Sequence, residues 1–137
     1  TEDSAVINVH FQSGALASLT ISDATVSPWN WEATAREDAQ YRPFNADAYF
    51  IGGTKGSLSL PRLHQFSYDG EPSWHKPLQM EMAAVDPQLP HKMQLKHFIN
   101  VIQGNELPIV TPEDNIKTLE TLMAIKLATE TNEFVQL

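Results

Sequence analysis

Residues 4–22 alternate in polarity twice over, with a short turn between the runs, and few architectures accept that pattern. Ala5, Ile7, Val9 and Phe11 alternate with Val6, Asn8 and His10; after Gln12, Ser13 and Gly14, the residues Ala15, Ala17, Leu19 and Ile21 alternate with Leu16, Ser18, Thr20 and Ser22. A period of two assigns each set to its own face of a strand. The turn chemistry between them predicts a hairpin. One face is apolar and the other mostly small and polar, as in an antiparallel sheet covered on one side only.

No period survives between Asp23 and Ala46, a segment that holds SPWNWE, ARED and YRPFNAD. An aperiodic connection of that length inside a domain is usually functional, because ordering it is costly. Pattern returns at Tyr49, Phe50 and Ile51, a strand ending at Gly52 and Gly53. The sequence Gly53-Thr54-Lys55-Gly56 predicts a tight turn at positive φ into the partner strand SLSLP. Residues 62–68 and 78–84 read as two further strands, separated by Asp69-Gly70 and PSWHKP.

The second half switches to a helical period. Asp86 as N-cap and Pro87 in the first turn predict a helix over 86–104, with Leu95, Phe98, Ile99 and Ile102 as one stripe and Gly104 as its end. A second helix over 111–131 has Thr111 as cap, Pro112 at its first position, and Glu113 and Asp114 at the positive end of its dipole. Its stripe is Ile116, Leu119, Leu122, Met123 and Leu127, with Asn132 as C-cap; EFVQL then reads as a closing strand. The order predicts an α+β fold: an open, mostly antiparallel sheet of about six strands with helices packed on one face, residues 1–137 forming one domain.

A chain of 137 residues is long enough to bury roughly two thirds of its unfolded surface. It has no cysteine, which excludes disulfides, thiolate zinc sites and cysteine nucleophiles and suits the cytoplasm. Nine Lys+Arg against 17 Asp+Glu give a net charge of -8, which repels phosphate backbones and argues against nucleic acid. No apolar run approaches the ~20 residues that cross a bilayer. TEDSAV is neither a signal nor a transit peptide. Thr1 leads straight into a strand pattern, as in an excised domain; a mature chain with its methionine or leader removed is the alternative.

His10, His64, His75, His91 and His97 lack the spacing of a zinc helix, so no metal site is legible. His10 and His64 read as outward strand residues, and His97 as a hydrogen-bonded packing residue of the first helix. The pairs Glu2-Asp3 and Glu37-Asp38 read as solvated, and Glu113-Asp114 as helix capping. The loop around Lys55 lacks the spacing of a phosphate cradle and precedes a strand, so it reads as a hairpin turn. No nucleophile elbow or dinucleotide fingerprint is present, and no catalytic residue can be assigned.

SPWNWE is the segment with the makings of a binding site. Trp29 and Trp31 could stack on sugar rings while Asn30 and Glu32 bond hydroxyl groups. The same tryptophans could instead plug the open end of the sheet or meet another subunit. Trp74 and His75, in a proline-bracketed loop, carry the same ambiguity.

The ordered set of an AVINVHFQSGALASL hairpin, SPWNWE, YFIGGTKGSLSLP, SWHKPL and QLKHFINVIQGNELPIVTPEDNIKTLETLMAI resembles the C-terminal domain of the glucose-fructose oxidoreductase / inositol dehydrogenase / MocA family. The resemblance spans nearly the whole chain, most specifically in IGGTKGSLSLP and HFINVIQGNELPIVTPEDNIKTLE. It implies the substrate-side and dimerisation domain of an oxidoreductase acting on a sugar, inositol or related polyol. NAD or NADP would belong to an N-terminal Rossmann domain, absent from this sequence, that shares the small-molecule substrate. The catalytic lysine and histidine would also precede Thr1, leaving this piece inert and without bound cofactor. Homo-oligomers through the sheet face are the implied assembly. The alternative is a stand-alone ligand-binding or self-assembly module using that face.

Overall fold

The computed structural model describes residues 3–85 and 88–137. The chain divides into two compact units, Thr1–Thr25 with Leu95–Leu137, and Val26–Gln94.

In the first unit, β1 (Ser4–His10) pairs antiparallel with β2 (Leu16–Ser22). The register sets Ala5 opposite Ile21, Ile7 opposite Leu19 and Val9 opposite Ala17. Directly opposed residues share a face, so the predicted apolar set is gathered on one side of the hairpin. Ser4 and Ser22 hydroxyls, 2.7 Å apart, close its open end. At the turn the Phe11 N–H donates to the Ala15 carbonyl at 2.9 Å, and Gly14 takes φ 86°, a left-handed value that costs glycine nothing.

Helix α2 (Pro90–Ile102) is followed by Gly104 at φ 75°, whose N–H donates to the Val101 carbonyl. The proposed start at Asp86 and Pro87 lies outside the described residues; Pro90 opens the helix, where its missing N–H leaves no bond unmade. Helix α3 (Pro112–Thr131) is capped as the sequence predicts. The Thr111 hydroxyl accepts from the Asp114 N–H at 3.3 Å and the Asp114 carboxylate accepts from the Thr111 N–H at 3.1 Å. That backbone bond, then the Thr111 hydroxyl, holds the Asp114 carboxyl below its ordinary range. Asn132, left-handed at φ 56°, ends the helix.

His97 braces the connection between these helices. Its Nε2 accepts from the Ile109 N–H at 3.3 Å and its Nδ1 lies 2.7 Å from Glu106. The amide must donate, so the ring proton sits on Nδ1 and faces the carboxylate. Asn100 donates to the other Glu106 oxygen at 2.8 Å. His97 first and Asn100 second keep the Glu106 carboxyl below its ordinary value. His97 is thus the hydrogen-bonded packing residue that the helical pattern predicts.

The predicted closing strand is absent. Residues 133–137 form no strand; instead Val135 and Leu137 line an open groove of about 710 Å³ with Leu119, Met123 and Leu127 of α3. A strand exists only by bonding to a neighbour, and the tail has found a helix flank in place of a sheet edge.

The second unit holds α1 (Trp31–Ala35) and a four-stranded antiparallel sheet. Its strands β3 (Tyr49–Gly52), β4 (Ser57–Leu60), β5 (His64–Ser67) and β6 (Gln79–Met82) lie in chain order. Cross-strand pairing puts Phe50, Ser59, His64 and Met82 in one row, with Ser57, Phe66 and Met80 in the next on the same face. The β3–β4 turn closes with the Gly53 N–H donating to the Gly56 carbonyl at 2.9 Å. Neither glycine takes the expected positive φ. Gly56 is required for space: a Cβ there would sit 2.8 Å from the Phe66 carbonyl oxygen.

Among the described residues no apolar side chain is buried; those that are, Thr34, Asp47 and Ser59, are polar. The expected two-thirds burial rests on a second layer over each sheet; among its described residues the second unit has, besides its sheet, the five-residue α1 and the start of the helix that opens at Pro90. Asp47 is the node there. Its carboxylate accepts from Ser59 Oγ at 2.8 Å, from the Arg62 backbone N–H at 3.0 Å, and from Arg62 Nε and Nη2 at 3.1 and 2.8 Å. His64, expected to point into solvent, has its Nδ1 3.7 Å from the same carboxylate, because it shares Ser59's face of the sheet.

Among the described residues, six antiparallel strands and three helices make this an α+β chain with open sheets, as the pattern predicts, the strands split between sheets of two and four. No helix among the described residues is long and apolar enough to cross a membrane.

Candidate functional site

The SPWNWE loop is built by local bonds. Ser27 Oγ accepts from the Trp29 N–H at 3.0 Å, and the Asn30 amide donates to the Ser27 carbonyl at 3.3 Å. Asn30 Oδ1 accepts from the Ala33 N–H at 2.8 Å, which makes Asn30 the N-cap of α1. Thr34, buried, donates its hydroxyl to the Asn30 carbonyl at 2.6 Å. The stretch expected to be structureless thus contains a helix too short for a periodic signal to reveal.

The four candidate residues part company here. Asn30 has both ends of its side-chain amide engaged in holding the loop. Trp31 is half-buried: its indole N–H donates to Glu37 Oε2 at 2.9 Å, and its ring meets Tyr49 at a centroid distance of 5.6 Å and a tilt of 51°. Trp29 is 68% exposed, and Glu32, in the first turn of α1, is exposed as well.

Sequence reasoning missed Glu37 and Tyr49. Glu37 read as one of a solvated pair, yet it accepts the Trp31 proton. Arg36, left-handed at φ 61°, turns the chain after α1 so that a residue six positions on can reach back. Phe44 fastens the following segment, its N–H donating to the Ala33 carbonyl at 2.7 Å. Tyr49 opens β3 and fixes where the aromatic corner meets the sheet.

Trp74 is 98% exposed. Its loop is tied by Lys76, whose ammonium donates to the Asp69 and Glu71 carbonyls at 3.2 and 3.0 Å. Among the described residues, no three His, Asp or Glu side chains gather closely enough to hold a metal.

The glycine-lysine turn does not fit a dinucleotide phosphate. Such cradles need open backbone N–H groups ahead of a helix, whereas the Gly53 N–H is bonded within the turn. The space beside Gly56 is filled by the Phe66 carbonyl oxygen, an acceptor that would repel an anion.

Fold and site together define an α+β chain with open antiparallel sheets and an aromatic loop fastened to the edge of the four-stranded one. The profile of the oxidoreductase family's C-terminal alpha/beta domain matches residues 1–137, and the chain belongs to that family. Comparison with curated proteins and with solved structures found no match.

Proposed function

We propose that this chain is the substrate-side and dimerisation domain of an NAD(P)-dependent, cytoplasmic oxidoreductase that acts on a sugar, inositol or related polyol. The exposed indole of Trp29 carries the substrate reading. Beside the fastened Trp31, with Asn30 and Glu32 in the same loop, it offers an apolar face for ring C–H groups and a carboxylate for hydroxyls. Membership of the oxidoreductase family supports the reaction class. The nicotinamide and the catalytic lysine and histidine belong to the Rossmann domain and the segment after it, so the chain alone is inert: hydride transfer needs a cofactor held against the substrate carbon.

Exposed Phe50, Met80 and Met82, gathered on one face of the β3–β6 sheet, support a second copy as the partner of that face. The same patch is what favours a free-standing assembly module as the other reading.

Tryptophan fluorescence with NADH and a panel of polyols tests both. The chain alone is expected to leave NADH unbound, while a full-length oxidoreductase carrying the domain reduces NAD(P) with a cyclic polyol. Tight NADH binding by the 137 residues would overturn the division of labour. Self-association without polyol turnover by the full-length protein would favour the assembly module.

A further inference from the structure

We infer that Glu37 is a positioning residue, one that sets the plane of the Trp31 indole against Tyr49 and so holds the wall on which substrate rests. The inference builds on the pocket reading of SPWNWE and adds to it a residue outside that motif.

Two independent contacts fix the indole. An indole side chain has two torsions, and the ring contact with Tyr49 at 5.6 Å limits how far either can swing. That contact alone still permits the ring to slide or turn over, because tilted aromatic pairs tolerate a range of offsets. The Nε1–H bond to Glu37 at 2.9 Å removes that freedom, since one edge of the ring must now point at the carboxylate. Indole N–H to carboxylate is a charge-assisted bond, stronger than a neutral one.

The backbone supports the same geometry. Asn30 caps the helix that carries Trp31, Arg36 reverses the chain, and the Phe44 N–H is bonded back to Ala33. Glu37 is thus delivered by a braced turn. A stacking wall whose plane is set in advance spares the ligand the ordering of a rotamer-rich side chain on binding.

The test is made in a full-length oxidoreductase carrying this domain, with the variants Glu37→Ala, Glu37→Gln and Trp31→Ala. Loss of preorganisation in Glu37→Ala should raise the polyol KM roughly two- to tenfold, with a smaller change in kcat because the reacting atoms lie elsewhere. Glu37→Gln should restore KM to within about twofold, since its amide oxygen can accept the same N–H. In ¹H–¹⁵N spectra the Trp31 indole cross-peak should move upfield in Glu37→Ala and stay near its original place in Glu37→Gln. A raised KM in Trp31→Ala with an unchanged KM in Glu37→Ala overturns the positioning role alone. An unchanged KM in both removes Trp31 from the pocket and the positioning role with it, and the Trp29→Ala variant then decides the pocket reading itself. A Gln variant as impaired as the Ala variant, with the indole bond intact in its spectrum, also counts against positioning.

Discussion

Arg62 grips Asp47 with three N–H donors, one from its backbone and two from its guanidinium, at 2.8 to 3.1 Å. The guanidinium bonds first, then the Arg62 backbone N–H and the Ser59 hydroxyl, lower the Asp47 pKa from 3.8 to about 2 against the opposing effect of burial. A carboxylate whose folded pKa is depressed stabilises the fold above its unfolded value and loses that contribution as pH falls through the folded one. The window here runs from about pH 4 down to about pH 2. Urea unfolding across it should show a loss of at most about 2 kcal/mol, and that pH-dependent component should disappear in Asp47→Asn.

Glycine at 56 answers a shortage of space, so its replacement should cost stability where a neighbouring glycine's does not. An alanine Cβ at 56 would lie 2.8 Å from a backbone oxygen, while one at Gly52 meets nothing within 4 Å. Gly56→Ala should destabilise by about 1–3 kcal/mol, against a change within about 0.5 kcal/mol for Gly52→Ala. Equal midpoints for the two variants in a urea titration would contradict the steric account.

The Thr111 cap answers to a simpler test. Thr111→Ala removes the hydroxyl that accepts from Asp114 and should cost about 1 kcal/mol, while Thr111→Ser should cost little. Thermal melts followed at 222 nm would compare them, with the loss concentrated in helical signal.

For the aromatic loop the expectation is a split by residue. Trp29→Ala should weaken polyol binding by the full-length oxidoreductase roughly tenfold while leaving its melting temperature nearly unchanged, because an exposed ring contributes little to folding. Asn30→Ala should lower the melting temperature as well, through loss of the α1 cap. Isothermal titration and calorimetric melts on the same preparations separate the two.

Legibility followed the range over which residues speak to one another. The hairpin of residues 4–22 was readable because alternation is a local property, and its register then put Ile7 opposite Leu19 as the pattern demands. Helix α3 was readable because Thr111, Pro112 and Asp114 all act within one turn. Asp47 and Arg62 are fifteen positions apart and share no period, so nothing in the sequence announces their bond. Trp31 was singled out, but its bond to Glu37 escaped for a related reason: a five-residue helix is too short to show a stripe. EFVQL has a strand's composition, but pairing needs an edge to receive it, and composition does not say whether one is free. Gly53 and Gly56 were placed correctly at a turn and explained wrongly, since positive φ and tight clearance both select glycine.

The tethered loop that Lys76 holds has an optical consequence. An indole surrounded by water on nearly every side relaxes its solvent shell fully before emitting, so Trp74 should dominate the red edge of the emission band and be the ring most open to iodide. Whatever shifts at the blue edge when a ligand arrives then reports on the ring beside Tyr49, and the unmodified chain can serve as its own sensor.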